Sequence, residues 1–293
     1  MKTWLLAALF ALTAAFSITS PTIAQDATIR ICTGGETGKY YQTAAEIGAQ
    51  LKGSLKVEVI PTNGSLDNFQ QLSSGTCDAA IVQSDAYGIF TATNPAARLN
   101  VERVVPLYDE YVHLVCNRNA GIHTVRDLLK NTEARVLVGP NGSGTSVTWQ
   151  TWGKQSEGYL KVGTDPIGGT RAITRTVDGT DAKCLLFVAG LKSGTMNEVN
   201  ELGQGTLGLV SIDDGSFDDV KDPKGQQVYR FVDIPGGTYP NLQNYGMFGG
   251  QSNIPTLAIG AILIANTSWI DANASAFDAF SSASIRWSQQ NVK

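Results

Sequence analysis

The chain has 293 residues, with 22 Lys and Arg against 26 Asp and Glu and a net charge of −4. With 42% hydrophobic residues it is neither disordered nor fibrous, and its length suffices for two lobes of ordinary domain size. The acidic balance and the lack of any basic run exclude nucleic acid as a partner.

The first 24 residues read as an export leader: Lys2, the apolar run "WLLAALFALTAAFSI", then "TSPTIAQ". Cleavage after Ala24 leaves 269 residues and, with Lys2 gone, a net charge of −5. The apolar run is shorter than the ~20 residues of a spanning helix. No Cys follows it to take a lipid, so the mature chain is expected free in the periplasm.

From Ala27, "TIRIC" predicts a strand and "YYQTAAEIGAQL" a helix, with Tyr41, Ala44, Ala45, Gly48 and Leu51 at helical spacing. "LKVEVI" predicts a second strand, "SLDNFQQL" a second helix and "DAAIVQ" a third strand. This β-α-β-α-β order implies a parallel sheet with right-handed crossovers. Ligands of such sheets bind outside the carboxyl ends of the strands, where Thr33 to Lys39, Pro61 to Ser65 and Gln83 to Ala86 lie.

The first of these loops, "GGETGKY", resembles a phosphate-binding turn but fails as a nucleotide P-loop. Only three residues separate Gly34 from Gly38, and Tyr40 replaces the Ser or Thr that binds Mg²⁺. What remains is a glycine-rich turn opening a helix N-terminus, which suits a generic anion.

A second unit follows. "YVHLVCN" is a strand from about Tyr111 to Asn117, then "RVLV" a strand, "GPNGSGT" a loop, "SVTWQTW" a helix start, "AITRTV" a helix, and "CLLFVAG" and "TLGLVSI" strands. It echoes the first unit: "LSSGTCDAAIVQ" against "VDGTDAKCLLFV", and "NGS" at both Asn63 and Asn141. After Tyr229, "DIPGGTYPNLQNYGMFGGQSNIP" reads as a long connector rather than packed elements. "TLAIGAILIA" and "ASAFDAFSSASIRW" then give a strand and a terminal helix. The simplest topology returns the chain to the first lobe here. The expected division is residues 25–115 with 253–293 as lobe 1 and 116–252 as lobe 2, with the crossings at "YVHLVCN" and near Ile254 forming a hinge.

Cys32, Cys77, Cys116 and Cys184 permit three pairings in an oxidising compartment, and their spacing excludes a CxxC motif. His113 lies in an apolar strand and His123 in a loop, matching no metal-ligand spacing. HExxH and GxSxG are absent. Asp213, Asp214, Asp218 and Asp219 lack the EF-hand spacing and read as a solvated loop. Asp85, ending a buried strand, either hydrogen-bonds ligand donors or caps the next helix. No catalytic constellation, metal or cofactor is expected.

"TIRICTGGETGKYYQTAAEIGAQL", "VIPTNGSLDNFQQLSSGTCDAAIVQSDA", "GIHTVRDLL", "RVLVGPNGSGT" and "IPTLAIGAILIA" together resemble the TAXI family, the solute-binding subunits of one class of TRAP transporters. The resemblance spans most of the mature chain. It implies a two-lobe α/β periplasmic binding protein of type II-like fold, each lobe a mostly parallel sheet flanked by helices. The lobes, joined by a two-strand hinge, would close on a small carboxylate such as glutamate or a C4 to C5 acid and deliver it to TRAP membrane subunits. A sensing module signalling to a membrane kinase is the alternative for the same cleft.

Carried over, the family's binding loops fall on Thr33, Gly34, Gly35, Tyr40 and Tyr41, on Asn63 and Ser65, and on Gln83, Ser84 and Asp85. In the second lobe they fall on Ser143, Gly144, Thr145, Ala189 and Gly190. Tyr40 and Tyr41, adjacent on a helix, cannot both face the cleft. Ser143 and Thr145 offer donors to a carboxylate, and the same atoms also serve as N-caps. The chain departs from the family pattern in its longer connector and in having only Lys39 as a cation in these loops, so a doubly charged ligand needs Arg171, Arg175 or Lys192 to turn inward.

Overall fold

A computed structural model describes residues 27–94, 100–131, 133–222, 225–246 and 249–291; the expected leader lies outside them. Strands β1 (Thr28–Cys32), β2 (Lys56–Ile60) and β3 (Ala79–Gln83) are joined by helices α1 (Lys39–Gln50) and α2 (Ser65–Ser73). β1 pairs in parallel with both neighbours, as the alternation predicts. Helix α3 (Ser84–Thr93) follows β3 directly.

The two halves of the molecule meet along two long strands, β4 (Val101–Asn117) and β10 (Ile254–Asn266), which run antiparallel to each other. β10 reads as a near-continuous apolar run because it is covered on both faces. On one side Leu263 packs with Ile29, Ile31, Ile47, Phe280 and Trp287 under α1 and the terminal helix. On the other, Ile262 and Ile264 pack with Phe69, Leu72, Val82 and Phe90 under α2 and α3.

The second half contains β5 (Arg135–Leu137), β6 (Gly163–Asp165), β7 (Cys184–Ala189), β8 (Leu207–Leu209) and β9 (Tyr229–Ile234). The sheet order is β2-β1-β3-β10-β4-β7-β5-β6, with β8 added to β4 and β9 to β10. Helices α4 (Val125–Lys130), α5 (Gly144–Gln155), α6 (Glu157–Leu160), α7 (Gly169–Asp178) and α8 (Gly194–Leu202) flank it, and α9 (Thr267–Ala272) and α10 (Ala274–Asn291) complete the first half. Trp152 anchors one face of the second core, stacked on Phe217 with ring centroids 4.6 Å apart and packed on Tyr159. The result is a mixed α/β fold of two lobes sharing a central sheet.

Three sequence expectations change. β4 starts ten residues before Tyr111, because "VERVVPLYDE" is a strand that buries Val101, Val105, Leu107 and Glu110 and exposes Glu102, Pro106 and Asp109. "YRFVDI" is strand β9, so the connector begins after Ile234. The connector is also packed: Tyr239, Leu242 and Gln243 are buried, and the Gln243 amide donates to the carbonyls of Pro235 and Ser252. Of the three cysteine pairings the fold takes Cys32–Cys77 and Cys116–Cys184, the latter between directly paired residues of β4 and β7.

Candidate functional site

The carboxyl ends of β1, β3 and β7 face one cavity of about 520 Å³ between the lobes. Four helices begin on its wall. α1 and α2 start after Gly38 and Gly64, neither of which offers a side-chain acceptor to the first amides. α5 and α8 start after Ser143 and Ser193, whose hydroxyls accept from the amides of Ser146 and Met196 at 3.2 and 3.3 Å. All four N-terminal residues line the cavity, so four positive dipole ends converge on it.

The loops are fixed from behind. Thr33, fully buried, donates its hydroxyl to the Ile60 carbonyl at 3.0 Å. The Asn68 amide, also buried, donates to the carbonyls of Thr33 and Ile81, tying the β1 loop to β3. The echoed "NGS" loops meet across the cleft: the Leu66 amide donates to the Gly142 carbonyl at 3.1 Å. Gly64 takes φ 116, a left-handed value only glycine adopts freely, and its Cα faces Ser143 and Gly144. A Cβ on Gly144 would lie 1.7 Å from the side-chain oxygen of Gln83, so glycine there permits the lobes to touch. Thr145, buried, accepts from the Val188 amide at 3.2 Å, holding α5 to β7.

Of the residues expected in the site, Gly34, Gly35, Tyr40, Ser65, Gln83, Ser143, Gly144, Thr145, Ala189 and Gly190 line the cavity. Thr33, Tyr41, Asn63, Ser84 and Asp85 do not. Tyr40 is the one of the tyrosine pair that faces it; Tyr41 is half-buried outside the lining. Asn63 donates to Asp67 on the exposed side of α2. Ser84 borders a separate, smaller cleft with Arg103 and Asp222.

Asp85 does a different job. It is 1% exposed and sits at the start of α3, accepting at one oxygen from the Ala86 amide and at the other from the hydroxyls of Thr148 and Tyr229 at 2.7 and 3.1 Å. Thr148 belongs to α5 and Tyr229 to β9, so one buried carboxyl bridges α3 of the first half to the second. Burial pushes it up to about 6, against the pull of both hydroxyls.

Sequence reasoning missed Ser193, Gly194 and Thr195, although "SGT" repeats the tripeptide at Ser143 and opens a helix in the same way. It also missed Glu110. This residue lines the cavity from β4, is 6% exposed, and accepts from the Tyr40 hydroxyl at 2.7 Å. Burial, with Asp85 adding repulsion, pushes its carboxyl up to about 8. The same burial and the adjacent Glu110 hold the Tyr40 hydroxyl well above its ordinary range.

The remaining histidine and loop features are structural. His113 Nε2 meets the Tyr239 hydroxyl at 3.0 Å, and burial lowers the ring to about 4, which keeps it neutral. Tyr239 in turn accepts from the amide of Lys192, a non-glycine residue at φ 57, and so pins the loop carrying Ala189 and Gly190. Asp214 accepts from Ser216 and Tyr159 at the start of a short turn of 3₁₀ helix. Among the described residues no group of three His, Cys, Asp or Glu is placed to hold a metal, and no helix is long and apolar enough to cross a membrane.

Comparison with known proteins agrees with this architecture. A Bordetella bronchiseptica RB50 protein superposes with a TM-score of 0.53 at 17% identity, covering 90% of this chain and 71% of its own. The amino acid ABC transporter substrate-binding protein AbpA of Streptococcus pneumoniae, bound to L-arginine, superposes at 0.51 with 12% identity and 92% coverage of both chains. A structure described as a periplasmic transporter gives 0.51 at 12% identity, covering 89% of this chain and 84% of that one. At these identities the likeness is one of fold, that of periplasmic binding proteins. The model of the NMT1-like family matches residues 31–272, and the chain belongs to that family.

Proposed function

We propose that this protein is an extracytoplasmic solute-binding receptor, not an enzyme, that captures a small organic carboxylate between its lobes and hands it to a TRAP-type membrane permease. The observation that carries the reading is the convergence of four helix N-termini, two capped by glycine alone, on one interlobe cavity. Main-chain amides and dipole ends are the standard means of holding a carboxylate without a cation. Residues 25–115 with 253–293 form one lobe in this reading and 116–252 the other. β4 and β10 act as the hinge. Contacts from Ser65 and Gln83 on one side and Ser143, Thr145, Ser193 and Thr195 on the other exist together only when the lobes are closed, so ligand shifts the population toward closure. The TRAP partner and the periplasmic location follow from the TAXI resemblance and the leader-like start.

The test is isothermal titration of the mature protein, refolded from denaturant to strip carried-over ligand, against glutamate, glutamine, 2-oxoglutarate, succinate and an inorganic anion. A one-to-one isotherm at micromolar affinity or tighter for an organic acid, ~8 kcal/mol of binding free energy, supports the receptor reading. Silence across the panel from folded protein overturns the carboxylate assignment.

A further inference from the structure

The charged lining of the cavity does not suit an acid that carries negative charge alone. Lys39, Glu110 and Glu198 are the charged residues that line it. The Lys39 ammonium lies over the rings of Tyr108 and Trp287, 5.9 and 5.6 Å from their centroids, so its charge is already engaged. Arg171 and Lys192 are exposed and Arg175 is ion-paired with Asp165 and Asp181; none of the three lines the cavity. Glu198 accepts from the Thr170 hydroxyl at 2.6 Å on the exposed side.

Glu110 differs from these. It is buried, one of its oxygens is held by Tyr40, and none of the ion pairs among the described residues includes it. A buried carboxyl without a cation is a costly arrangement, and its high proton affinity reflects that. The groups that bear on it are Tyr40 of α1, Tyr108 of its own strand and Asp85 of α3, none of them cationic. A ligand bringing a positive nitrogen would take the place of the carboxyl's proton, which leaves to solvent, and supply the missing partner, while its carboxylate met the helix N-termini opposite.

We propose that Glu110, oriented by Tyr40, is a subsite for a protonated amine, so that the receptor selects zwitterionic amino acids over amine-free acids of the same length. The inference rests on the carboxylate-receptor reading above and adds the residue that reads the second charge. Because Glu110 lies on β4, a strand paired into both halves of the sheet, the subsite is present before the lobes close.

The experiment titrates the mature protein and its Glu110→Gln variant at neutral pH with two matched pairs, glutamate with glutarate and aspartate with succinate. In the wild type the amine-bearing member of a pair should bind about 10- to 100-fold more tightly, the range of a hydrogen bond between charged groups. Glu110→Gln should remove most of that preference while leaving the amine-free acid within about threefold. Tyr40→Phe, a milder change, should reduce the same preference in part. Equal affinities within each pair for the wild type, or a variant that weakens both members alike, overturns the subsite and leaves the receptor reading standing. Failure of all four acids to bind folded wild type overturns both.

Discussion

Replacing Glu110 by Gln gives a stability test that needs no ligand. The carboxyl ordinarily titrates at 4.5 and in the fold at about 8. Below pH 4.5 it is protonated in both folded and unfolded chains and contributes nothing adverse. As pH rises toward 8 the unfolded chain loses its proton freely while the folded chain must either keep it or bury a charge. Stability present at low pH is therefore lost progressively over that window. At about 1.4 kcal/mol per pKa unit the loss reaches roughly 5 kcal/mol above pH 8, an upper bound for a group that borders a cavity. Gln keeps an acceptor for the Tyr40 hydroxyl and has no proton to lose. The difference in melting temperature between variant and wild type should then be near zero at pH 4.5 and grow to as much as about 10 °C at pH 8, taking ~2 °C per kcal/mol for a chain of this size. Asp85, raised from 3.8 to about 6, loses stability with the same sign over a lower window, but it is common to both proteins and cancels. Circular dichroism melts of ligand-free protein across this range measure the difference directly. A difference that stays constant with pH, or a variant less stable at pH 8, refutes the assignment of Glu110 as a buried, unpaired carboxyl.

Gly144→Ala places a methyl group 1.7 Å from the side-chain oxygen of the buried Gln83, at the first position of α5 where the helix-interior preference for alanine does not apply. Melting temperature and ligand affinity should both fall; if both are unchanged, Gln83 moves aside at no cost. Asp85→Ala leaves the hydroxyls of Thr148 and Tyr229 buried without their acceptor, and urea melts should report a loss of about 3 kcal/mol, far more than an exposed Asp such as Asp271 would give. Reduction of the disulfides, whose cysteines are 45 and 68 residues apart, should cost up to ~4 kcal/mol each by loop closure. Reduced protein that melts like the oxidised form would show that these bridges constrain the unfolded chain little.

The elements that announced themselves in the sequence are those whose burial repeats with one period. "DAAIVQ" and "TLAIGAILIA" are apolar because both sheet faces are covered, "TIRIC" buries Ile29 and Ile31 and turns Arg30 to Asp78, and α1 and α2 carry apolar residues at helical spacing toward that sheet. The first half of β4 was not legible, since Glu102, Arg103, Asp109 and Glu110 make it look like a surface loop and Pro106 interrupts it. Its pairing with β10 overrides that composition, with register shifts near Pro106 that accommodate the missing amide. The candidate site divides in the same way. Glycine and serine at strand ends marked most cavity loops, because a helix start after a strand has a sequence signature. Glu110 had none: which of Asp109 and Glu110 faces inward depends on strand register. The fold turns Asp109 out toward Arg230 and Glu110 in. Asp85 was visible as unusual, but its partners lie 63 and 144 residues away.

The sheet order has a consequence for biosynthesis. β10 begins at Ile254 yet lies between β3 and β4, at the centre of the first lobe's sheet. Until it arrives, the growing chain holds β3 and the outer half of β4 as open edges, with one apolar face that α10 will later cover. The first lobe cannot finish while the second is being made, although most of its residues come first. A chain cut before Ile254 should therefore be sticky rather than half-active, because the first half cannot close its sheet without its last strand.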